Sequence, residues 1–285
     1  MKEFKDKVAV ITGAGSGIGY ALVERCVKEG MKVVIADIDK RGLRNAEKNL
    51  KELSLEAEVI YVLTDVSKPE DVEALVKTTF NTFGAVHLLF NNAGVTNVQF
   101  PWNYTVKDWQ WQLGVNLFGV IYGIKYFVPK MLEQEFDSLI VNTASIEGLV
   151  FGALAGAATY GVSKHAIISL SESLKEDLEL VSKKVKVAVL CPGMVDTKIV
   201  INNRNRPKEW KNDPSEVIQD LKIDNAAEKL NKYLLQGKPP MKPTEAADII
   251  FKGIMDEKFY ILTHKDDILK GLVKERFERI LKAFE

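Results

Sequence analysis

Short runs of β-branched and other apolar residues alternate with amphipathic helical stretches along most of this sequence. Such alternation is typical of β-α-β units, in which parallel strands form a sheet that helices cover. The runs are mostly apolar throughout, as expected of strands that are buried on both sides. The pattern therefore predicts an α/β fold: a doubly wound parallel sheet of about seven strands with helices on both faces.

The same pattern gives bounds for each element. The predicted strands are Lys7–Thr12, Lys32–Asp37, Glu58–Leu63, Val86–Asn91, Ser138–Thr143, Val185–Leu190 and Phe259–Leu262. The predicted helices are Ile18–Glu29, Arg41–Leu53, Pro69–Phe83, one long helix over Val106–Phe136, Ala158–Val181 and Thr244–Met255. Ser67 is predicted to cap the third helix. A last helix at residues 266–284 follows from an apolar stripe formed by Ile268, Leu269, Leu272, Val273, Ile280, Leu281 and Phe284.

Residues 197–242 interrupt this pattern with polar, Asn-rich and Pro-containing sequence, and with a short helical piece at Ile218–Leu235. Loops beyond the carboxyl ends of parallel strands form the ligand crevice, so this excursion is placed to act as a substrate lid. A disordered surface insert is the alternative. The chain length of 285 residues fits one α/β domain spanning residues 1–285.

Charge and cysteine content exclude several classes of protein. The 39 basic residues balance the 39 acidic residues, so neither a nucleic acid nor an anionic membrane is indicated as a partner. The longest uncharged stretch, between Glu147 and Lys164, is too short to span a membrane. Cys26 and Cys191 lie in apolar surroundings and are interpreted as reduced core residues, and no metal site is predicted. The charged N-terminal residues do not resemble a secretory signal, which favours a cytoplasmic protein.

A glycine-rich turn joins the first strand to the first helix. Its residues are Thr12, Gly13, Ala14, Gly15, Ser16, Gly17, Ile18 and Gly19. Bare backbone amides at a helix N-terminus can bind a pyrophosphate, so Gly13, Ser16, Gly17, Ile18 and Gly19 are predicted to contact a dinucleotide. The alternative is a strand-to-helix turn with a purely structural role. The spacing is T-G-x-x-x-G-x-G and not the more common G-x-G-x-x-G.

Asp37 ends the second strand, where a carboxylate can accept hydrogen bonds from the hydroxyls of an adenosine ribose. A 2′-phosphate at the same place would be repelled by that carboxylate. The sequence therefore predicts NAD as the cofactor, with NADP disfavoured. Lys40 and Arg41 lie close enough in sequence to approach a phosphate, but exposed cations gain only ~0–1 kcal/mol from such contacts.

Tyr160 and Lys164 stand four residues apart on a predicted helix, which places the phenol and the ammonium on one face. A nearby cation favours the ionised phenol, so Lys164 is expected to lower the pKa of Tyr160 and to make it a general base. Taken alone, this spacing is common on solvated helix faces. Ser145 follows the fifth strand, where its hydroxyl could donate to a substrate oxygen.

Together these motifs resemble the short-chain dehydrogenase/reductase family, over roughly residues 7–197, and the resemblance implies a Rossmann-like dinucleotide-binding catalytic domain. It implies a catalytic tetrad of Asn116, Ser145, Tyr160 and Lys164. It also implies cofactor contacts from Asp65, Val66, Asn92, Ala93, Gly94, Tyr160, Lys164, Pro192, Gly193, Val195 and Thr197. The segment from Ser145 to Tyr160 is about two residues longer than is usual in the family, and the C-terminus lacks the family's short Gly-rich ending.

The resemblance predicts an oxidoreductase that transfers a hydride between NAD(H) and a small-molecule secondary alcohol or ketone. Apolar residues expected near the pocket suggest a hydrophobic substrate; these are Phe100, Trp102, Trp109, Trp111, Phe151, Leu154, Met194 and Trp210. The alternative is a dinucleotide-sensing binding or regulatory protein that keeps the fold without turnover. The family's usual interface implies a homodimer built on the helices around residues 115–136 and 158–181, with a tetramer as the other possibility.

Overall fold

In a computed structural model, which describes residues 1–53, 57–150, 156–200, 203–216 and 239–285, the core is a seven-stranded parallel sheet in the order β3-β2-β1-β4-β5-β6-β7. The strands are β1 Val8–Thr12, β2 Lys32–Asp37, β3 Val59–Leu63, β4 Leu88–Asn91, β5 Ser138–Thr143, β6 Val185–Cys191 and β7 Tyr260–Leu262. The predicted doubly wound sheet is confirmed, and every predicted strand is present with ends within two residues.

Eight α-helices occur in the described part of the chain: α1 Gly17–Lys28, α2 Lys40–Leu53, α3 Pro69–Phe83, α4 Val106–Leu113, α5 Gly119–Leu132, α6 Ala158–Val181, α7 Pro243–Met255 and α8 Asp267–Leu281. Short 3-10 turns cover Ile146–Gly148, Lys198–Val200, Lys208–Trp210, Pro214–Glu216 and Lys282–Phe284. The predicted cap of α3 is wrong. Lys68 occupies the N-cap position, because the Ser67 hydroxyl donates instead to Asp65 Oδ1 at 2.6 Å.

The predicted long helix over Val106–Phe136 is also wrong as a single element. A π-helical turn at Gly114–Phe118 separates α4 from α5, and α5 ends at Leu132. Close packing explains the break: a Cβ on Gly119, where α5 begins, would lie 2.8 Å from the Val66 side chain. The extra residue in the turn rotates the helix and directs Asn116 inward, where it is fully buried.

Alternate residues of each strand face opposite layers of helices, as the two-residue period of a strand requires. Ala9 and Ile11 of β1 belong to a core cluster that includes residues of α1, α2 and α7, whereas Val10 faces a second cluster that includes residues of α3, α5 and α6. Cys26 lies in the first cluster, Cys191 is buried against α6, and both are free thiols, as predicted. The sheet is therefore covered on both faces.

The carboxyl ends of all seven strands lie at one edge of the sheet, because the strands are parallel. β1 pairs with both β2 and β4, so the order in which successive strands are added to the sheet reverses beside β1. This reversal opens a crevice there. The excursion after β6 leaves and returns at this edge, where Val195 bridges to Met241 in parallel. The helix predicted at Ile218–Leu235 lies outside the described residues.

Candidate active site

The glycine-rich turn is tightly packed between β1, α1 and the end of β4. Gly13 has a φ of +64°, and a Cβ there would lie 2.7 Å from the Ala93 Cα. A Cβ on Gly19 would lie 2.2 Å from the Gly13 carbonyl oxygen. The chain can therefore turn directly into α1, whose first N–H groups have no partner within the helix. Such a helix N-terminus favours an anion, so the turn fits a pyrophosphate.

Asp37 is buried beside this turn. Its Oδ2 accepts from the Gly15 N–H at 2.8 Å, and its Oδ1 accepts from the Asp39 N–H at 2.8 Å. Burial raises the pKa of this carboxyl, although the two backbone hydrogen bonds oppose the shift. A carboxylate has about four acceptor sites, so Asp37 keeps capacity for a ligand at the cavity that it lines.

Thr12 links the glycine-rich turn to the segment after β4. Its hydroxyl oxygen accepts from the N–H groups of Asn92 at 2.9 Å and Ala93 at 3.1 Å, and the Asn92 amide donates back to the Thr12 carbonyl at 2.9 Å. Below them, Asn91 of β4 donates to Asn142 of β5 at 2.9 Å. These bonds fix the path of Asn92, Ala93 and Gly94 along the crevice.

Tyr160 and Lys164 lie one turn apart on α6, with the Lys164 Nζ 5.4 Å from the centre of the Tyr160 ring. Lys164 is buried, donates to the Thr143 carbonyl at 2.8 Å, and has its pKa lowered by burial to about 8. Burial raises the pKa of the Tyr160 phenol to about 12, against an opposing hydrogen bond with Ser145. Burial is thus the largest influence on the pKa of this phenol.

Ser145 immediately follows β5 and caps the 3-10 turn at Ile146–Gly148. Its Oγ accepts from the Glu147 N–H at 3.2 Å and also hydrogen-bonds to Tyr160. The turn is held tightly against α6, since a Cβ on Gly148 would lie 2.6 Å from the Lys164 carbonyl oxygen. The structure therefore brings the Ser145 hydroxyl and the Tyr160 phenol together, as the sequence predicts.

The side-chain amide of Asn116, in the π-helical turn, makes three hydrogen bonds to other protein groups. Its Oδ1 accepts from the Val95 N–H at 2.8 Å, and its Nδ2 donates to the Val95 carbonyl at 3.0 Å and to Ser163 Oγ at 3.1 Å. A Cβ on Gly94 would lie 3.6 Å from both Asn116 Oδ1 and Lys164 Nζ. Asn116 therefore lies behind the cavity wall, close to Lys164, and fixes the backbone at Val95.

A cavity of about 650 Å³ runs along this edge of the sheet. Three of the four predicted catalytic residues line it: Ser145, Tyr160 and Lys164. Every predicted cofactor contact also lines it: Gly13, Ser16, Gly17, Ile18, Gly19, Asp37, Asp65, Val66, Asn92, Ala93, Gly94, Pro192, Gly193, Val195 and Thr197. The glycine-rich turn, the Asp37 carboxylate and the cluster of Ser145, Tyr160 and Lys164 thus share one crevice.

Comparison with known proteins agrees with this geometry. The family model for short chain dehydrogenase matches residues 7–208. The chain belongs to this family. It is therefore an NAD(P)-dependent dehydrogenase or reductase that acts on a small substrate.

Relatives of this short-chain dehydrogenase cover nearly its whole length. It is 34% identical over 281 residues to the CLA biosynthesis dehydrogenase/reductase of Lactiplantibacillus plantarum, covering 99% of this chain and 95% of the relative. It is 31% identical to the 1-deoxy-11-beta-hydroxypentalenate dehydrogenase of Streptomyces avermitilis, covering 94% and 92%. A crystal structure of a short chain dehydrogenase/reductase from Burkholderia phymatum in complex with NAD is 41% identical, with a TM-score of 0.90 and coverage of 99% and 97%.

The substrate side of this short-chain dehydrogenase differs from the prediction. Of the apolar residues expected to wall the pocket, Trp111 and Met194 line the cavity. Phe100, Trp102, Trp109 and Trp210 do not line it, and Phe151 and Leu154 lie outside the described residues. Trp102 is 77% exposed and stacks on Phe100.

Several residues that line the cavity of the dehydrogenase are not predicted from the sequence. They are Arg204, Asn205 and Pro207 after β6, and His264, Asp266 and Leu269 after β7. His264 lies two residues after β7 ends at Leu262. Its place in the cavity could be predicted, because residues at the carboxyl ends of parallel strands line the crevice. Burial lowers the pKa of its imidazole. Arg204 has no such local signal, because it lies in the middle of the irregular excursion.

The last helix also contacts the catalytic turn. The guanidinium of Arg276 in α8 donates to the carbonyls of Gly148 at 3.3 Å and Leu149 at 3.1 Å, and lies 2.6 Å from His165 Nε2 on α6. α8 begins at the cavity with Leu269, which is buried, whereas Leu281 near its end is 64% exposed. The predicted C-terminal helix is therefore a wall of the site along its first turns.

Within the described residues, no group of acidic, His or Cys side chains is arranged to hold a metal ion. The same part of the dehydrogenase contains no helix long and apolar enough to cross a membrane.

Proposed function

We propose that this protein is an NAD(H)-dependent oxidoreductase that interconverts a secondary alcohol and a ketone on a hydrophobic substrate. The proposal rests on one observation: Ser145, Tyr160 and Lys164 line the same cavity as the glycine-rich turn and Asp37. A bound nicotinamide would supply or accept the hydride in such a cavity. The protein's residues then need only to orient the substrate oxygen and to move one proton.

Each side chain of the tetrad has a distinct proposed role. Tyr160 exchanges the proton with the substrate oxygen, and its raised pKa keeps it protonated at neutral pH, ready to donate to a ketone. Ser145 donates a hydrogen bond to the same oxygen and stabilises its developing negative charge. Lys164, with a pKa of about 8, can return a proton to Tyr160. Asn116 fixes the cavity wall at Val95 beside Lys164 and belongs to the relay.

NAD is the proposed cofactor, with NADP less favoured. The support is Asp37, whose remaining acceptor sites suit ribose hydroxyls and whose charge would repel a 2′-phosphate. Asp65 and Val66, which line the cavity after β3, are the proposed contacts to the adenine. Pro192, Gly193, Val195 and Thr197 are proposed to hold the nicotinamide end.

A hydrophobic substrate is supported by the apolar side chains that line the cavity outside the glycine-rich turn. Its apolar members are Val95, Val98, Trp111, Val115, Ile146, Met194 and Leu269. The names of related proteins agree in chemical class, since the Streptomyces relative is named for a hydroxypentalenate. A levodione reductase of similar structure, 26% identical with a TM-score of 0.76, is named for a dione. We therefore propose an alcohol or ketone carried on an apolar skeleton.

The decisive variant is Tyr160→Phe. General acid–base catalysis contributes 10²–10⁴-fold, so we expect turnover to fall at least ~100-fold while NADH binding stays near that of the wild type. Turnover is followed by NADH absorbance with a panel of cyclic and linear ketones and alcohols. Oxidation of an alcohol by the wild type should accelerate as the pH rises above neutrality, because the phenolate is the accepting form.

Tyr126 of α5 offers a matched control, because it does not line the cavity and Tyr126→Phe removes the same hydroxyl. Turnover by Tyr160→Phe above a tenth of the wild-type value would remove Tyr160 from its role. A wild type that binds NADH tightly, yet turns over no member of the panel, would favour the dinucleotide-sensing alternative.

The assembly and organisation are part of the same proposal. We propose one catalytic domain over residues 1–285, in which residues 197–242 form a substrate lid. We also propose a homodimer that pairs α5 and α6, or a tetramer that contains this pair. Large apolar side chains on these surfaces support the pairing, since Phe118 is 44% exposed and Val162 is 50% exposed.

A further inference from the structure

The segment after β6 carries two arginines in different surroundings: Arg204 lines the cavity, whereas Arg206 is buried behind it. Arg204 lines the cavity and reaches the glycine-rich turn, where its Nη2 donates to Ser16 Oγ at 3.2 Å. Its Nη1 lies 3.9 Å from Asp39 Oδ2, in the loop after β2. Arg206 lies on the substrate side, against α4. One short segment therefore touches both halves of the site.

Arg206 anchors this segment. Its Nη1 donates to Asp108 Oδ1 at 2.6 Å, and the side chains of both residues are at most 3% exposed. Asn212 accepts from Arg206 Nη2 at 3.0 Å and donates to Asp108 at 3.0 Å, which closes the cluster. The guanidinium also lies 4.9 Å from the centre of the Trp111 ring. These contacts fix the backbone two residues from Arg204.

Arg204 itself is held loosely by comparison. Its side chain is 30% exposed, and an ion pair at 3.9 Å between exposed groups contributes little. A guanidinium has five donors in a fixed fork that matches the oxygens of a phosphate. Within the described residues Arg204 makes one hydrogen bond, to Ser16, which leaves most of its donor capacity for a ligand.

The partner of Arg204 identifies which phosphate it can meet. Ser16 is the N-cap residue of α1, and its side chain makes no capping bond to the helix. The helix N-terminus there is the place where the glycine-rich turn fits a pyrophosphate. The ribose side of the cavity instead presents Asp37, with Asp39 two residues further along the chain, and these charges oppose a 2′-phosphate.

We propose that Arg204 binds the pyrophosphate of the dinucleotide, so that the segment on the substrate side also closes over the cofactor. The inference rests on the proposed dinucleotide site and adds to it a ligand outside the glycine-rich turn. Arg206 and Asp108 act as positioning residues, because they hold the segment from which Arg204 extends. Cofactor binding and the substrate-side wall are thereby linked through one piece of chain.

The test is equilibrium binding to Arg204→Gln and Arg204→Lys, followed by NADH fluorescence and by competition with ADP-ribose and adenosine. Arg204→Gln should raise the Kd for NADH and for ADP-ribose at least ~10-fold, equivalent to about 1.4 kcal/mol. Adenosine, which lacks the phosphates, should compete equally well in the variant and the wild type. Arg204→Lys should lie between them, because it keeps the charge and loses the fork.

Lys208→Gln is the matched control, since Lys208 is an exposed cation of the same segment that does not line the cavity. Its Kd for NADH should stay within twofold of the wild type. An Arg204→Gln Kd within twofold of the wild type, an equal loss for adenosine, or a loss confined to NADPH would each overturn the inference. A wild type that binds no dinucleotide would instead overturn the proposed function itself.

Discussion

Two buried carboxylates have opposite pKa shifts. Asp37 belongs to the cofactor wall, the part of the cavity lining around the glycine-rich turn, and Asp108 lies behind the substrate wall, the part formed by Trp111, Asn205 and Pro207. Asp37 accepts hydrogen bonds from the backbone N–H groups of Gly15 and Asp39, and burial raises its pKa. Burial acts in the same direction on Asp108, but hydrogen bonds from Thr105, Arg206 and Asn212 outweigh it and lower its pKa. Only Asp37 also lines the cavity.

The difference is consistent with the proposed binding role of Asp37 and with a structural role for Asp108. Asp108 closes the capping box of α4 with Thr105 and neutralises a buried arginine, so its acceptor sites are already used. Asp37 retains acceptor sites and a raised pKa at the mouth of a crevice, a combination more typical of functional groups. Substitutions at the two positions should therefore affect different properties of the protein.

The largest expected effect is on stability. Asp108→Asn leaves the Arg206 charge buried without its counter-ion, and we expect the free energy of unfolding to fall by about 3 kcal/mol or more. Asp37→Asn removes a charge that burial already disfavours and replaces one accepting oxygen with an NH2 group, so one backbone hydrogen bond is lost and the cost should be about 1 kcal/mol. Urea denaturation of both variants, without cofactor, measures the difference.

A double variant sharpens this result. Adding Arg206→Met to Asp108→Asn removes the uncompensated charge, so the double variant should be more stable than Asp108→Asn alone. Equal losses at Asp37 and Asp108, or simple additivity in the double variant, would contradict the contrast drawn between the two walls.

The next effect is on cofactor choice. The wild type should favour NAD over NADP by at least ~10-fold in kcat/KM, equivalent to about 1.4 kcal/mol, and Asp37→Ala should shrink or reverse that ratio. Asp108→Asn should leave the ratio unchanged in the fraction that folds, because Asp108 does not reach the cavity. Steady-state kinetics with both cofactors decides the matter, and equal use of NAD and NADP by the wild type would defeat the role of Asp37.

The smallest effect is on the pH dependence of stability. A carboxyl in an unfolded chain has a pKa of about 3.9. Asp108, with a lowered folded pKa, stabilises the protein above that value, and this contribution disappears as the pH falls through the folded pKa. Asp37, with a raised folded pKa, binds its proton more tightly when folded, so protonating it stabilises the protein as the pH falls toward 3.9.

The two variants should therefore differ from the wild type in separate pH windows. The stability difference between wild type and Asp37→Asn should change above pH ~3.9, and the difference for Asp108→Asn should change below it. Urea midpoints measured across the acid range give both curves. A change in the same window for both variants would show that the two carboxyls titrate alike.

The sequence predicts the cofactor wall well because its determinants are local. Gly13 and Gly19 belong to one turn, Asp37 ends a strand, and parallel strands bring their carboxyl ends to one edge. Tyr160 and Lys164 share a helix, and the prediction of that helix agrees with α6 at both ends. The position of each of these residues follows from the backbone geometry of a few neighbouring residues. Their spacing in the sequence is therefore enough to predict where they lie.

The substrate wall could not be predicted in the same way. Arg206 and Asp108 are 98 residues apart in the chain, and although Asp108 fits the capping-box pattern of α4, no pattern pairs it with Arg206. The π-helical turn follows from packing of Gly119 against Val66, which no helix periodicity reveals. The burial that raises the pKa of Tyr160 has no sequence signal either, because spacing gives the distance to Lys164 whereas burial depends on the whole fold.

Arg276 gives the C-terminus a practical meaning for anyone who engineers this chain. Its guanidinium joins α8 to the carbonyls that follow Ser145, across 128 residues of sequence. A chain trimmed after Leu281 keeps that contact, whereas one trimmed before Arg276 loses it and with it the support of the turn that follows Ser145. Exchanging the C-terminal helix with that of a homologue would also change the residue that contacts the turn after Ser145. A chimera should therefore take α8 and this turn from the same parent.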